Sequence, residues 1–432
     1  MNILIVASPL TGHLNPLLGV GRILIDAGHQ VTCLSGAHLE GRVTAIGADF
    51  RSFSAAADLN QRQSALVAGE LKELPPGVQR LRLAIERRFV ETIPAQKDDI
   101  MRVLQDVPAD IIIADSMMFG LLTMLMKPRS ERLPIVLCGT SFLHWQRQDG
   151  APHFAGLPPA TDPDERENYA RIATEYDMQF NKPIADALMR AGVRELPNTL
   201  FDSVVELPDA YLQLTVPGFE FPRPVPNAVH FVGRLPIIPN QAPLPPWAGE
   251  LDGARKVVLV TQGTVANDNL GLLIKPTLQA LEGESDILVL VTMGGRSIDD
   301  LGVAVPSNAR VAEYLPFEWV LPKIDVFVTN GGYGSVNQAL SFGVPLVTAG
   351  STEDKADVNA RVAWSGAGID LRTNSPTPEA IRTAVRTTLD TPNYRLKASA
   401  LATDFFRTDA RSEIVRIVKD VVHAADTGTS DR

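Results

Sequence analysis

Short, continuously apolar runs alternate with longer stretches of helical period, and this alternation occurs twice along the chain. In the first half the runs are Ile3–Ala7, Val31–Ser35, Ile111–Ala114, Ile135–Gly139 and Ala210–Leu214. A strand that is apolar at every residue is buried on both faces, as in a parallel sheet covered by helices. After the first run, Leu14–Ala27 carries Leu17, Leu18, Ile23 and Leu24 at helical spacing and stops at Gly28. Longer helical patterns follow at Val78–Gln105, broken at Pro94, and at Asp164–Ala191. From Lys256 the alternation restarts. Strands are expected at Val257–Thr261, Ile287–Thr292, Val326–Thr329 and Leu346–Thr348, and helices at Asn269–Leu281, Val336–Ser341 and Val358–Ser365. Glu379–Ala424 is largely helical in pattern. Such an order predicts an α/β fold of two Rossmann-like, doubly wound parallel sheets. The 432 residues are too many for one comfortable core and enough for two.

Between the halves the composition changes. Nine of the 32 prolines fall between Val216 and Trp247. Proline removes a backbone donor and fixes φ, so a stiff linker outside any core is expected there. The predicted division is an N-terminal domain over 1–216, a linker over 217–250, a second domain over 251–404 and a C-terminal helical segment over 405–432. Open sheets of this kind bind ligands beyond the carboxyl ends of their strands. Two of them facing each other would share one cleft.

Composition excludes several classes. A net charge of −10 argues against a nucleic-acid partner, which calls for a basic face. No apolar run reaches the roughly 18 residues of a membrane span. Met1–Ala7 lacks a basic leader and reads as a first strand, not a signal peptide. Cys33 and Cys138 lie in apolar runs and are expected as buried, reduced thiols of a cytoplasmic protein. The histidines His29, His38, His153, His230 and His423 show no metal-ligand spacing.

Three segments carry chemistry. Gly12-His13-Leu14-Asn15-Pro16 leaves the first strand and enters the first helix. Positive partial charge at a helix N-terminus favours a neutral ring there, able to accept a proton. His13 could equally be a surface or capping histidine. Asp115 ends the strand Ile111–Ala114. It could accept from one nitrogen of His13 and orient the other toward a substrate, or it could cap the following turn. The third segment is Thr329-Asn330-Gly331-Gly332-Tyr333-Gly334-Ser335, where a strand runs through a glycine-rich turn into a helix. Backbone donors at such a turn can cradle an anion, most often phosphate, although a purely structural turn has the same composition. His144 and Trp145 follow the strand Ile135–Gly139 and suit either an acceptor pocket or core packing, as do Phe89, Met117 and Met118.

Taken with its neighbours, the glycine-rich segment resembles the donor-binding motif of the family-one, UDP-glucosyltransferase-like glycosyltransferases of macrolide and natural-product type. Those enzymes adopt the GT-B fold. The motif runs from an aromatic-x-Pro segment through T-H-x-G-x-x-S to Gly-Val-Pro and an acidic-Gln pair. Here it reads Tyr314-Leu315-Pro316-Phe317, Thr329 to Ser335, Gly343-Val344-Pro345 and Glu353-Asp354-Lys355. The N-terminal Gly12-His13 with Pro16 is similar to the family's G-H-x-x-P entrance, so the resemblance spans both halves.

The resemblance implies two domains facing across a cleft, with the last helix returning to the first domain. It implies His13 as catalytic base and Asp115 as its partner. Donor contacts would come from Gly12, Gly263 and Thr264, from Tyr314 and Leu315 at the nucleotide base, and from Asn330, Gly332, Tyr333, Gly334 and Ser335 at the diphosphate. Gln338 would hold the ribose, and Glu353, Asp354 and Lys355 the sugar. Phe89, Met117, Met118, Phe142, His144 and Trp145 would line the acceptor side. Asn330 stands where the family has a histidine, Gln338 where it has a glutamate and Lys355 where it has a glutamine. The implied activity is inverting transfer of a hexose from a nucleotide-diphosphate sugar to a hydroxyl of a lipophilic small molecule. UDP-glucose is the expected donor and a dTDP-sugar the alternative. No metal and no cofactor beyond that co-substrate are expected. A nucleotide-sugar epimerase and a non-catalytic glycosyltransferase-like partner protein are the competing readings.

Overall fold

The computed structural model describes residues 1–58, 61–236, 244–251, 253–263 and 267–427. The first sheet contains β1 (Asn2–Val6), β2 (Gln30–Ser35), β3 (Asp49–Ser52), β4 (Ile111–Asp115), β5 (Ile135–Gly139), β6 (Ala210–Gln213) and β7 (Val229–Phe231). The second contains β8 (Lys256–Thr261), β9 (Ile287–Thr292), β10 (Ala309–Ala312), β11 (Val326–Thr329), β12 (Leu346–Thr348) and β13 (Gly368–Asp370). Their spatial orders are β3-β2-β1-β4-β5-β6-β7 and β10-β9-β8-β11-β12-β13. The pairings within each are parallel, with Val6 opposite Ala114 and Thr329 opposite Thr261. In each lobe the chain starts mid-sheet, builds to one edge, then returns and builds the other. The reversal falls between β1 and β4 in the first lobe and between β8 and β11 in the second.

The central strands coincide closely with the apolar runs, because burial on both faces writes itself into every residue. Four strands escape that signal: β3, β7, β10 and β13. All four are sheet edges. β3, Asp49-Phe50-Arg51-Ser52, has no fully buried residue, so no apolar run marks it. The proline-rich stretch is corrected in the same way. Val229, His230 and Phe231 pair with Tyr211, Leu212 and Gln213, so β7 belongs to the first sheet. Phe219 and Val232, also in the expected linker, are wholly buried. Proline density conceals this edge, since the prolines flank the strand and none interrupts it.

Alternate residues of β1 face opposite cores. Leu4 and Val6 join Ile112, Phe119 and Leu137 on one side, while Ile3 and Ile5 join Leu14, Leu17 and Ile113 on the other. The second core also takes in Ile414, Ile417 and Val418 of the terminal helix Ala410–Thr427. That helix therefore returns to the first lobe, where Arg411 reaches Asp26 at 3.1 Å. The preceding helix Pro392–Arg407 stays with the second lobe through Ala398, Leu401 and Phe405. The crossing point is thus a few residues later than 405.

Both long helical patterns are interrupted by a single wide π turn, Glu86–Val90 and Asp177–Asn181. Pro94, expected to break the first pattern, sits in the first turn of the helix Ile93–Asp106, where its missing N–H costs nothing. Such π turns displace side chains from the regular helical track and gather at functional sites. The first one presents Phe89 to His13, with ring centres 5.7 Å apart.

Candidate functional site

β1 and β4 are neighbours, so their carboxyl ends lie side by side at the first lobe's reversal point. His13 occupies the opening turn of the helix Thr11–Asp26, and Asp115 is the last residue of β4. His13 Nδ1 lies 3.0 Å from Asp115 Oδ1. Asp115 is fully buried. Its other oxygen accepts from the Ser8 amide at 2.6 Å, and Oδ1 also accepts from the Met117 amide at 2.9 Å. Partnering the ring and capping the turn are therefore both realised. Burial alone would push the Asp115 carboxyl up, but the His13 ring and the amides of Ser8 and Met117 outweigh it and hold the group below the ordinary carboxylate range. A carboxylate fixed to Nδ1 in this way holds the imidazole's orientation and leaves Nε2 for a substrate proton. The ring keeps a partly open face, at 22% side-chain exposure. Phe89, Met117 and Met118 are buried in the core cluster around this pair.

The second lobe's reversal point is built differently. β8 runs into Gln262-Gly263, and β11 into Asn330-Gly331-Gly332. Asn330 Nδ2 donates to the Gln262 carbonyl at 2.8 Å, tying the two turns together. Gln262 Oε1 accepts the amides of Leu273 and Ile274 at the start of the helix Ile274–Leu281. Gly331 has φ of +91°, and a Cβ there would lie 1.9 Å from Asn359 Oδ1. Only glycine fits. The helix Tyr333–Ser341 then opens with no side chain capping its first amides. Gly334 is exposed and Ser335 half-buried, its hydroxyl donating to the Gly332 carbonyl at 2.9 Å. An uncapped helix start with adjacent glycines suits an anion. Thr264 lies outside the described residues.

Tyr314 is 43% exposed and offers a flat ring face, whereas its neighbour Leu315 is buried. Gln338 is half-buried on the Tyr333–Ser341 helix, and Gly12 is exposed at the start of the first helix. Glu353 has φ of +52°, a strained conformation for a residue with a side chain. Lys355 pairs with Glu353 and lines a cavity of about 40 Å³ together with Gln262, Asn330 and Gly350. Against the cost of desolvation, Lys355, Thr352 and the first lobe's Arg88 hold the Glu353 carboxyl below its usual range. Asp354 accepts from Ser141 of the first lobe at 2.6 Å.

Some expected residues are placed elsewhere. The Tyr333 side chain points away from the cradle and accepts from Gln213 at 2.6 Å, so only its backbone belongs to the turn. Phe142 is fully buried beneath the Arg361 guanidinium, 4.5 Å from its ring centre. His144 is packed between Phe142 and Phe201. Trp145 donates to the Pro224 carbonyl. Of these three, Phe142 packs at the lobe junction, His144 stacks beside it, and Trp145 lies against the first lobe's core. Sequence reasoning missed Ser8, Ser141, Gln213 and Asn359. Ser8 and Ser141 follow strand ends at the ligand-binding edge, a signal that could have found them. Gln213 and Asn359 carry no local mark. Among the described residues no three His, Cys, Asp or Glu side chains cluster as a metal site requires, and no helix is long and apolar enough to cross a membrane.

Comparison with known proteins follows this geometry. Residues 276–421 match the family model for the C-terminal domain of erythromycin biosynthesis protein CIII-like proteins. The chain is similar to 4'-demethylrebeccamycin synthase of Lentzea aerocolonigenes, at 35% identity over 97% of this chain and 99% of that one. It is similar to UDP-glycosyltransferase 2 of Phaeomoniella chlamydospora, at 34% identity over 100% and 98%. Among solved structures the fold is similar to the calicheamicin glycosyltransferase CalG4, with a TM-score of 0.69 at 20% identity, covering 98% of each chain.

Proposed function

This chain belongs to the UDP-glycosyltransferase-like, natural-product glycosyltransferases, and from that premise we propose that it moves a hexose, with inversion, from UDP-glucose to a hydroxyl of a lipophilic small molecule. The observation that carries the reading is the formed His13–Asp115 pair at the strand ends of one lobe, together with an uncapped, glycine-lined helix start at the strand ends of the other. His13 Nε2 takes the proton of the acceptor hydroxyl. The freed oxygen attacks the anomeric carbon from the face opposite the diphosphate. The bond from that carbon to the phosphate oxygen breaks, and its electron pair leaves with the nucleotide. Asp115 stabilises the imidazolium as it forms. The amides of Gly332 to Ser335 stabilise the charge growing on the diphosphate. Tyr314 stacks on the base, and Gln338 offers its amide to the ribose. Glu353, Asp354 and Lys355 grip the sugar hydroxyls. The similarity to the fungal UDP-glycosyltransferase 2 supports UDP as the nucleotide. The relatives reported above are named as a synthase and a glycosyltransferase, and neither speaks for an epimerase.

The test uses radiolabelled UDP-glucose with a panel of phenolic acceptors. His13→Ala should cut transfer by about 10²–10⁴-fold, while UDP affinity by calorimetry is retained. Preserved turnover removes His13 as the base.

A further inference from the structure

The loop that leaves β5, residues 140–162, is long and irregular, and it contacts both lobes, hydrogen-bonding directly to the second at Asp354 and Asp357. Thr140 Oγ1 lies 3.4 Å from His13 Nδ1. Ser141 Oγ donates to Asp354 Oδ2 at 2.6 Å. The Ser141 carbonyl accepts from Gln213 Nε2 at 2.8 Å, and the same nitrogen reaches the hydroxyl of Tyr333, first residue of the cradle helix, at 2.6 Å. Farther along, the Gly156 amide donates to Asp357 Oδ2 at 3.1 Å. Asp357 lies one turn beyond Asp354 on the helix Lys355–Trp364.

The loop is braced to do this. Arg147 pairs with Asp149 at 2.5 Å and also donates to the carbonyls of Leu157 and Pro158. Gly156 has φ of +63°, and a Cβ there would meet Ala356 Cβ at 3.0 Å. A loop of this length without regular structure is usually functional. Here two of its hydroxyls reach the base and the segment carrying Glu353–Lys355, and its backbone reaches the helix Tyr333–Ser341 through Gln213.

We propose that this loop is a clasp, and that Ser141 is a positioning residue setting the Glu353–Lys355 segment against His13. This deepens the glycosyl-transfer reading and rests on it. The physical reason is distance. The base and the sugar-holding segment lie on different lobes, so each degree of lobe rotation changes their separation. Displacing reacting groups by about 1 Å costs on the order of 10²-fold in rate. Gln213–Tyr333 and Thr215–Asn337 also tie the lobes together, but Ser141 bonds the sugar-holding segment itself, while Gly156 holds Asp357 one turn farther along.

Two measurements test it in the full chain. Spin labels at Met126→Cys and Leu396→Cys, both exposed and on opposite lobes, report lobe separation. The native Cys33 and Cys138 are buried and stay unlabelled. Ser141→Ala and Gly156→Ala should each broaden the distance distribution, and Ser141→Thr, which keeps the hydroxyl, should restore it. With UDP-glucose and the phenol panel, Ser141→Ala should lower kcat about tenfold, while KM for UDP-glucose changes by less than about twofold. An unchanged distance distribution in both alanine variants overturns the clasp, as does an unchanged kcat. If the unmodified protein transfers nothing from UDP-glucose, the activity reading fails, and the label distances alone decide the clasp.

Discussion

The two lobes solve the same topological problem with different chemistry. In each, the sheet reverses its winding between two central strands, and a side chain bridges the turns that leave them. In the first lobe the bridge is ionisable, His13 Nδ1 to Asp115 Oδ1 at 3.0 Å. In the second it is neutral, Asn330 Nδ2 to the Gln262 carbonyl at 2.8 Å. The first surrounds a buried carboxylate with amide donors. The second brings backbones close through glycines at Gly331 and Gly350, where a Cβ would stand 1.9 Å from Asn359 and 2.2 Å from the Asn330 carbonyl. The difference suits the tasks proposed for the two lobes. Taking a proton requires a group that changes charge, which only a side chain supplies. Holding a diphosphate requires several fixed donors, which a backbone supplies without the desolvation cost of a buried cation.

If this contrast is right, the first bridge should be intolerant of chemistry and the second of volume. Asp115→Asn keeps the shape of the first bridge but offers an amide to the ring and supports the wrong tautomer. Transfer from UDP-glucose should fall by about 10³–10⁴-fold, with UDP affinity retained by calorimetry. A loss below tenfold would dissolve the distinction between the lobes. Gly331→Ala changes no charge, yet it combines a left-handed backbone with a clash. Stability should drop by about 2–4 kcal/mol in urea denaturation, and UDP binding should weaken, whereas the His13–Asp115 lobe should keep its fold. Wild-type stability in that variant would mean the turn tolerates volume after all.

The smallest effect concerns His144, stacked beside Phe142. Burial, and then the nearby His153, Arg361 and Arg223, push His144 well below the ordinary histidine range. The unfolded chain therefore binds this proton first, at about pH 6.5. Its contribution to stability is complete above that pH and is lost progressively as pH falls below it. His144→Phe should flatten the decline of Tm between about pH 6.5 and 5 by a few degrees at most. An unchanged slope would place the acid sensitivity elsewhere.

The predicted catalytic pair and the glycine-rich turn were legible because both follow apolar runs, and the end of a buried parallel strand is where ligands bind. Ser141 also follows such a run, yet its role as a bridge depends on Asp354, more than two hundred residues away. Phe142 and His144 looked like acceptor contacts for the same reason. Phe142 is instead sealed under Arg361, which pairs with Glu220 at 3.0 Å across the lobe junction, and His144 is packed against Phe142 and Phe201. Nothing local announces that Arg361 is buried, because its partner Glu220 lies 141 residues earlier, within the proline-rich stretch.

The interior could be read from the residues alone: nine central strands, their parallel winding, the loops at their carboxyl ends and the residue types placed there. A strand buried on both faces must be apolar throughout, so its presence can be read residue by residue. The four edges and the contacts between lobes emerged only from the folded chain. An edge strand is half solvated and can hold almost any residue, so β3 and β7 leave no pattern. A contact between lobes is specified by two distant segments at once, and neither carries the other's signature.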